Sequence, residues 1–498
     1  MSLVRPTRLY TAAQVRELDR RCIEDHGVDG YALMTRAAEA AFRGLRLRWP
    51  AARRIAVCCG GGNNGGDGLV IARLARAAGL EVELALKGDP ARLRGAAARA
   101  WEDWNGPAQA LDALDPAAHD VVVDALLGTG LDRPVEGEIA AAIDALNAAA
   151  TPVLAVDIPS GLDADAGAVL GTAVRAALTV TFIGPKRGLY TGAGIECAGS
   201  VLFDDLDTPP AIHDGIGPAV SVCERKDAEA LLPARPPTAH KGDAGHVLVV
   251  GGGTGFAGAA RLAGEAALRA GAGLVSVATR PEHVTALVAG CPALMAHGVE
   301  DAAALAPLLE RADVVALGPG LGRGEWSTAL LRAVLEAAPG RLLVDADGLN
   351  GLAAEPRVLA GGALLTPHPG EAARLLGTTS AGIQADRFTA GRELAARYGA
   401  AVLLKGPGTL VCRDGEDPGR LLPGARPALA VGGSGDVLTG IAAALCGQGL
   451  EPADAACCAG VLLGLAADRA EQAVGTRGLL PTDLLDALGP ATAALGHG

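Results

Sequence analysis

The first 192 residues contain four polar clusters, each of which follows an apolar run. They read GGGNNGGDG (60–68), DALLGTGLDRPVEG (124–137), DIPSGLDADAG (157–167) and GPKRGLYTG (184–192). Asn64, Asp124 and Ser160 supply amide, carboxylate and hydroxyl oxygens from three of these clusters. An all-oxygen set with little charge suits a hard, monovalent cation. The alternative is that Asn64 and Ser160 only cap helices or turns.

Asp157 and Lys186 are the titratable pair of the same clusters. At strand ends that face one crevice they could move protons on a bound ligand, or they could form only a structural salt bridge. The glycines of GGGNNGGDG match the dinucleotide fingerprint and let backbone N–H groups approach a pyrophosphate. The two asparagines and Asp67 are unusual in such a loop, which indicates a site that also needs side-chain oxygens.

A different chemistry is indicated by AVGGSGDVLTGIAAAL at 430–445. The apolar residues after the glycines follow helical spacing, so Gly432 to Gly435 are predicted to precede a helix with Asp436 in its first turn. Backbone N–H groups at that point can stabilise a transferred phosphoryl group while the carboxylate accepts a hydroxyl proton. The alternative is that Asp436 only complements the helix dipole.

Five further loops of the second half carry polar residues at predicted strand ends. They read VVGGGTGFAGA (249–259), ALGPGLGRG (316–324), VDADGLN (344–350), LTPHPGE (365–371) and LLKGPGTLV (403–411). Asp345, Asp347, Asn350, His368 and Glu371 come from two of them. The last loop places Lys405 beside a glycine turn, where an ammonium group is a natural phosphate contact.

The elements that must position these residues alternate between apolar β-branched runs and Ala/Leu/Arg-rich helical segments. In the first half we expect strands at 54–59, 81–86, 120–124, 153–157 and 178–183, and helices at 11–26, 33–48, 67–78, 91–104 and 138–149. Strands apolar on both faces and separated by helices predict a Rossmann-like, doubly wound parallel sheet, whose ligands bind at the carboxyl ends of the strands.

Two segments rich in Pro, Gly and Asp, at 205–220 and 233–245, interrupt this alternation. It then restarts with strands expected at 246–250, 274–279, 313–317, 341–345, 363–366 and 400–405, a helix at 258–271 and a helical tail after 432. The sequence therefore predicts two α/β domains, at 1–215 and 222–498.

Charge and composition exclude several classes of protein. The net charge of −13 argues against a nucleic-acid partner. The ten cysteines include no CxxC pair, no apolar signal core begins the chain, and the longest apolar run, at 455–467, is short for a membrane span. We expect a cytoplasmic protein that binds small molecules, with no membrane association, assembled as a homo-oligomer.

Together, GGGNNGGDG, DALLGTGLDRPVEG, DIPSGLDADAG and KRGL resemble the NAD(P)H-hydrate epimerase domain, over about residues 10 to 213. The resemblance implies a potassium ion held by Asn64, Asp124 and Ser160. It also implies that the hydrated cofactor contacts Asn63, Asn64, Gly65, Gly66, Asp67, Gly128, Thr129, Gly130, Leu131, Asp132, Arg133, Pro134 and Asp157. One departure is RAAEA at 36–40, where the family pattern RAGxA has a glycine.

The motifs DADGLN, TPHPGE, KGPGT and GGSGDVLTG resemble the ADP/ATP-dependent NAD(P)H-hydrate dehydratases of the ribokinase-like superfamily, over about residues 222 to 490. The resemblance implies a nucleotide bound by Lys405, Gly406, Pro407, Gly408, Thr409 and Gly435. It implies contacts of the hydrated nicotinamide with Ala257, Gly322, His368 and Asp436. Mg²⁺ is expected with ADP, although the sequence shows no separate magnesium motif.

These resemblances predict a repair enzyme for hydrated NADH and NADPH, in which one domain epimerises the hydrate and the other dehydrates one epimer with ADP. Asp436, Asp157 and Lys186 are the expected catalytic residues. A kinase for a small alcohol or vitamin precursor, with an amino-terminal ligand-binding domain, is the main alternative. A cofactor-sensing or scaffold module would keep the fold without the chemistry, and a Rossmann dehydrogenase would leave the asparagines and the second domain unexplained.

Overall fold

The computed structural model describes residues 6–232, 234–359, 361–415 and 419–497. The chain divides into two compact units, Met1–Ser221 and Val222–Gly498. Both units are mixed α/β structures built on largely parallel sheets, so the predicted fold class is confirmed.

The first unit is built on a six-stranded parallel sheet. Its strands are β2 (Arg54–Cys59), β3 (Glu81–Leu86), β4 (Val121–Ala125), β5 (Val153–Val156), β6 (Leu178–Phe182) and β7 (Ser200–Asp204), and the two residues of β1 (Arg8–Leu9) pair instead with residues 220 and 221. The spatial order is β3-β2-β4-β5-β6-β7. The strand order reverses between β2 and β4, and such a switch point is where doubly wound sheets bind ligands.

Six α-helices cover this sheet. They are α1 (Ala12–Arg20), α2 (Gly30–Arg48), α3 (Asn63–Ala77), α4 (Gly95–Trp104), α5 (Gly137–Ala148) and α6 (Gly194–Ala198). Strands β4, β5 and β6 are buried along their whole length, as expected for strands with helices on both faces. Several predicted helix bounds differ in detail: the helix expected at 33–48 begins at Gly30, and the helix expected at 91–104 begins at Gly95. The helix expected at 11–26 ends as a π-helical turn, Arg21–Asp25, and α3 begins four residues earlier than expected.

The second unit contains a longer sheet with the order β17-β16-β15-β14-β13-β12-β9-β10-β11. After β8 (Val220–Val222), at the boundary of the units, its strands are β9 (His246–Val250), β10 (Leu274–Thr279), β11 (Met295–Gly298), β12 (Val314–Leu317), β13 (Leu342–Val344), β14 (Ala363–Leu365), β15 (Ala401–Leu404), β16 (Thr409–Cys412) and β17 (Gly419–Leu422). Pairing is parallel from β11 to β15, and β15, β16 and β17 pair antiparallel.

The helices of the second unit pack closely through small residues. They are α7 (Arg225–Leu231), α8 (Ala257–Arg269), α9 (Val284–Gly290), α10 (Ala302–Leu309), α11 (Glu325–Ala337), α12 (Ala346–Ala354), α13 (Pro369–Leu376), α14 (Ser380–Ala385), α15 (Arg387–Tyr398), α16 (Ser434–Gly447), α17 (Pro452–Val474) and α18 (Pro481–Thr492). A Cβ on Gly440 of α16 would lie 2.1 Å from the Ala263 carbonyl oxygen of α8. A glycine at position 440 therefore allows the two helices to approach this closely. None of the helices in the described ranges is long and apolar enough to cross a membrane.

Candidate active sites

The cluster GGGNNGGDG is a turn only in its first three residues. Asn63 to Gly68 already belong to α3. A Cβ on Gly65 would lie 1.9 Å from the Gly60 carbonyl oxygen, and a Cβ on Gly66 would lie 2.5 Å from the Met34 Cε. Gly65 and Gly66 therefore serve the close packing of α3, and the structure does not bring them to the ligand cavity described below.

The three oxygen-bearing residues predicted from separate clusters do come together. The Ser160 hydroxyl donates to the Asp124 Oδ1 atom at 2.6 Å, and the Ser160 amide donates to Oδ2 at 2.8 Å. The Leu127 amide donates to the Ser160 Oγ atom at 2.8 Å, and the Leu127 carbonyl oxygen accepts from the Asn64 Nδ2 atom at 2.9 Å. The loop after β4 thus links α3 to the loop after β5.

The side-chain amide of Asn64 is only partly hydrogen-bonded to the described residues. Its buried Oδ1 atom has no hydrogen-bond partner among the described residues. Native proteins rarely leave a buried polar atom in this state, because it loses its interaction with water without compensation. The Asp124 carboxyl is fully buried, and burial raises its pKa to about 6 although hydrogen bonds from Ser160 and Leu126 oppose the shift. An orphaned amide oxygen beside a carboxylate and a hydroxyl fits a monovalent cation such as potassium.

Asp157 and Lys186 form an ion pair at the ends of β5 and β6. Lys186 is buried, and its Nζ atom also donates to the Thr181 Oγ1 atom at 3.1 Å and to the Phe182 carbonyl oxygen at 3.3 Å. Asp157 has a φ of 67°, a left-handed conformation that a non-glycine residue keeps only when its surroundings enforce it. The pair therefore has structural contacts and also faces the cavity.

A cavity of about 940 Å³ is lined by Asn64 and by the Asp157–Lys186 pair, whereas Asp124 and Ser160 lie outside its lining. The predicted residues that line it are Asn63, Asn64, Asp67, Gly128, Thr129, Gly130, Leu131, Asp132, Arg133, Pro134, Asp157 and Lys186. Asp19 of α1 lines it too and was missed, because no motif marks α1. Burial raises the pKa of Asp19 to about 6 and also raises the pKa of Asp67, with Asp157 adding to both shifts. Ala38, at the position of the family glycine, is buried in α2 and does not line the cavity.

In the second unit, Asp436 lies in the first turn of α16 as predicted. The helix begins at Ser434, so Gly432 and Gly433 precede it whereas Gly435 lies within its first turn. Gly433 is the N-cap residue with a φ of 103°, which favours glycine. Burial raises the pKa of Asp436 to about 7, the negative charge of Asp345 raises it further, and the Lys405 ammonium opposes the shift. A carboxyl with this pKa is suited to accept a proton near neutral pH.

Lys405 does not stand alone beside its glycine turn. Its Nζ atom donates to the Asp345 Oδ1 atom at 2.8 Å and lies 4.0 Å from the Glu371 carboxylate. His368 is the N-cap of α13, and its Nδ1 atom accepts from the Gly370 amide at 3.0 Å. Burial lowers the pKa of His368, and the charge of Lys405 lowers it further.

The remaining predicted contacts of the hydrated nicotinamide lie on neighbouring loops. Ala257 is the first residue of α8, and the Gly322 amide donates to the Asp347 Oδ2 atom at 2.9 Å. The two loops touch, because a Cβ on Gly320 would lie 2.7 Å from the Phe256 Cβ atom. Asp347 in turn contributes to the raised pKa of Asp436.

A second cavity, of about 400 Å³, borders Lys405 and the start of α16. The predicted nucleotide contacts that line it are Lys405, Gly406, Pro407, Thr409 and Gly435, whereas Gly408 lies outside the lining. Its other walls are mostly apolar and come from β17, the segment at 423–430, and α17. These walls were not predicted from the sequence, because their residues carry no chemical motif. Across the described ranges, no group of three or more His, Cys, Asp or Glu side chains is placed to hold a metal ion, so Mg²⁺ ligands stay unassigned.

Comparisons with known proteins agree for both halves of the chain. One family model, described as YjeF-related protein N-terminus, matches residues 30–188, and another, described as NAD(P)H-hydrate dehydratase, matches residues 247–490. A ribokinase-like superfamily protein of Enterococcus faecalis has a solved structure that aligns with a TM-score of 0.51 and 25% identity, covering 55% of this chain and 96% of its own.

Relatives with the same two halves match nearly the whole chain. The bifunctional NAD(P)H-hydrate repair enzyme of Coxiella burnetii is 47% identical, over 96% of this chain and 98% of its own length. The enzyme of the same name from Escherichia coli K12 is 44% identical, over 97% of this chain and 93% of its own length. The resemblances found in the sequence are thus confirmed. The chain belongs to the bifunctional NAD(P)H-hydrate repair enzymes, and NAD(P)H-hydrate repair is its activity.

Proposed function

We propose that the first unit interconverts the two epimers of hydrated NADH or NADPH, and that the second unit dehydrates the S epimer with ADP, giving AMP and phosphate. The observation that carries this proposal is Asp436. Its carboxyl lies in the first turn of α16, beside the Lys405 ammonium, with a pKa raised by burial to about 7. This is the combination that phosphorylation of a hydroxyl group needs at neutral pH.

In the second unit, Asp436 accepts the proton of the ring hydroxyl. The hydroxyl oxygen then bonds to the β-phosphorus of ADP as the bond from that phosphorus to AMP breaks. The amides of Gly432, Gly433 and Gly435 stabilise the charge on the transferred group. The carbon–oxygen bond breaks next, phosphate leaves with the electron pair, and the neighbouring ring carbon loses a proton to restore the double bond. Phosphate replaces hydroxide as the leaving group, which makes the elimination feasible.

The predicted ligand contacts of the second unit fit this division. We assign the nucleotide to the apolar cavity, with Lys405, Gly406, Pro407, Thr409 and Gly435 around its phosphates. We assign the hydrated nicotinamide to the side of Ala257, Gly322, His368 and Asp436. Mg²⁺ accompanies ADP and neutralises phosphate charge in this chemistry.

In the first unit we assign a potassium ion to Asn64, Asp124 and Ser160. The orphaned oxygen of Asn64 supports this assignment. A bound cation supplies positive charge beside the anionic cofactor. The hydrated cofactor then lies along the 940 Å³ cavity, against Asn63, Asn64, Asp67 and the segment from Gly128 to Pro134. Asp157 and Lys186 hold and move the proton of the hydroxyl group on the ring carbon that is inverted.

The proposal is tested with single epimers of hydrated NADH, supplied with ADP or ATP and Mg²⁺, while the return of dihydronicotinamide absorbance is followed. We expect Asp436→Asn to stop dehydration of both epimers and to leave their interconversion intact. Asp157→Asn should dehydrate the S epimer at the wild-type rate. It should repair the R epimer only as fast as that epimer inverts spontaneously. Identical behaviour of the two variants would contradict the division of labour.

Asp483→Asn is a matched control for Asp436→Asn. Asp483 also lies in the first turn of a helix, α18, where it accepts from the Leu480 amide, but neither it nor an adjacent residue lines a cavity, whereas Gly435, next to Asp436, lines the 400 Å³ cavity. It should keep the wild-type rate of dehydration. A stable phosphorylated alcohol as the product would favour the kinase alternative. The expected homo-oligomer stays a prediction, which light scattering on the purified chain tests.

A further inference from the structure

Asp345 is a buried carboxylate that the proposed reaction does not use directly. It follows β13, and its side chain is 2% exposed. Its Oδ1 atom accepts from the Lys405 Nζ atom at 2.8 Å, and its Oδ2 atom accepts from the Thr439 Oγ1 atom at 2.8 Å. A buried carboxylate is costly unless both oxygens are compensated, so these two contacts hold Asp345 in place. They also join the loop after β15 to the helix α16.

The groups that contact Asp345 lie next to Asp436 along α16. Thr439 is three residues after Asp436, so the two side chains lie on the same face of α16, about one turn apart. A Cβ on Gly435 would lie 3.4 Å from the Lys405 Nζ atom and 3.8 Å from the Asp345 Oδ2 atom. The residue immediately before Asp436 therefore packs against the ion pair, and no side chain separates them.

We propose that Asp345 is a positioning residue of the dehydratase, which holds the Lys405 ammonium and the first turns of α16 together so that Asp436 meets the substrate hydroxyl beside a fixed cation. This inference deepens the proposed role of Asp436 and rests on it. Asp345 itself contacts neither the substrate nor the nucleotide in this proposal. Thr439 is the link through which the position of α16 depends on Asp345.

The charges around Asp436 give the proposal a specific signature. The Asp345 charge raises the pKa of Asp436, and the Lys405 charge lowers it. Asp347 of α12 raises it as well. From α13, Glu371 and His368 face the Lys405 ammonium, and the Glu371 charge helps to keep the pKa of Lys405 raised although burial opposes this. Removal of the Asp345 charge must therefore lower the pKa of Asp436, and removal of the Lys405 charge must raise it.

The test measures kcat/KM for dehydration of the S epimer as a function of pH, with ADP and Mg²⁺ at saturation for each variant. The quantity compared is the position of the acid limb, the pH range over which kcat/KM rises as Asp436 loses its proton. We expect Asp345→Asn to move this limb to lower pH and Lys405→Met to move it to higher pH. A shift of about half a unit to one unit corresponds to a change of roughly 3- to 10-fold in kcat/KM at a fixed pH on the limb. A residue that only fills space would not produce opposite shifts.

Thr439 supplies a second measurement that does not depend on a change of charge. Thr439→Val removes the hydroxyl donor at nearly constant shape and should lower kcat by about 3- to 10-fold, the loss expected for a hydrogen bond to a charged group that positions a catalytic residue. The KM for ADP should stay unchanged, and Thr439→Ser should restore kcat. If Asp345→Asn does not fold, the Thr439 pair and Lys405→Met decide the question.

Asp454→Asn is the matched control, because Asp454 also pairs with a partly buried cation of the second unit, Arg420, but does not act on Asp436. Its acid limb should coincide with that of the wild type. The inference is overturned if Asp345→Asn keeps the wild-type limb, or if Thr439→Val keeps the wild-type kcat. Failure of the proposed function has a different result, namely that Asp436→Asn still dehydrates the S epimer.

Discussion

The orphaned oxygen of Asn64 allows a direct test of the cation site in the first unit. Asn64→Leu removes the buried Oδ1 atom and the hydrogen bond from Nδ2 to the Leu127 carbonyl oxygen. A buried amide oxygen without a partner costs about 1–3 kcal/mol, and a hydrogen bond contributes about 1 kcal/mol. Because these effects oppose each other, the variant should be as stable as the wild type, or slightly more stable, when no potassium is present.

Potassium should then stabilise the wild type and leave the stability of Asn64→Leu unchanged. A ligand that binds only the folded state stabilises it by RT ln(1 + [L]/Kd), which is about 1.4 kcal/mol at ten times Kd. We expect the free energy of unfolding of the wild-type first unit to rise by this amount in potassium chloride, compared with tetramethylammonium chloride at equal ionic strength. The free energy of unfolding of Asn64→Leu should not rise in potassium chloride, because the oxygen ligands of Asp124 and Ser160 alone do not make an adequate site.

The assay can be confined to the first unit. Of the four tryptophans in the chain, only Trp326 lies in the second unit. In a Trp326→Phe background, tryptophan fluorescence during urea unfolding reports the first unit alone. Asn63→Leu is the matched control, because Asn63 is exposed next to Asn64. It should keep the potassium response. Equal stabilisation of Asn64→Leu and the wild type by potassium would refute the assignment.

Three further predictions concern the second unit and the packing of α3. Because Asp436 must be ionised and its pKa is raised to about 7, kcat/KM for dehydration should rise about tenfold from pH 6 to pH 8; a flat profile over this range would contradict its role as the base. Gly65→Ala places a Cβ 1.9 Å from a carbonyl oxygen, whereas a Cβ on Gly61 has no neighbour within 4 Å. The first variant should lose about 3 kcal/mol or more of stability in urea unfolding of the first unit and the second less than about 1 kcal/mol, and equal losses would show that α3 can shift. Gly464→Val fills one wall of the 400 Å³ cavity, so it should raise the KM for ADP at least about tenfold without changing the rate of epimerisation; an unchanged KM would place the nucleotide elsewhere.

The sequence predicted the architecture well where strands are buried on both faces. The runs of β2, β4, β5 and β6 are apolar and β-branched because helices cover both sides of the sheet, and they were placed within one or two residues. The short strands β7, β11, β16 and β17 were missed. Residues on β7 and β11 are half-buried or exposed, so their sequences lack a continuous apolar run that would distinguish them from loops.

The candidate sites were predicted in outline, because polar residues at the carboxyl ends of parallel strands converge on one edge of the sheet. Hydrogen bonds between residues far apart in the sequence could not be predicted in this way. Asp345 was noticed at a strand end, but its bonds to Lys405 and Thr439 depend on the packing of α16. The early start of α3 was missed as well. The three glycines and two asparagines among the first six residues of α3 disfavour a helix by intrinsic propensity, and here tertiary packing against Gly60 and Met34 overrides that preference.

The use of lysine in this chain supports a common design of the two sites. Only five lysines occur beside 38 arginines. Two of the five, the buried Lys186 and the half-buried Lys405, lie next to an aspartate at a strand end. The buried Arg387 has a different task, because its planar guanidinium donates to the carbonyl oxygens of Leu404, Lys405 and Gly408 and so shapes the loop that carries the lysine. An ammonium group is compact enough to pair with one carboxylate and still present charge to a ligand, whereas a guanidinium needs several acceptors arranged in a plane. The arginine therefore fixes the backbone, and the lysine is left as a point charge whose partner carboxylate sets its position. In each unit this places a fixed cation beside the carboxyl group that we assign to proton transfer.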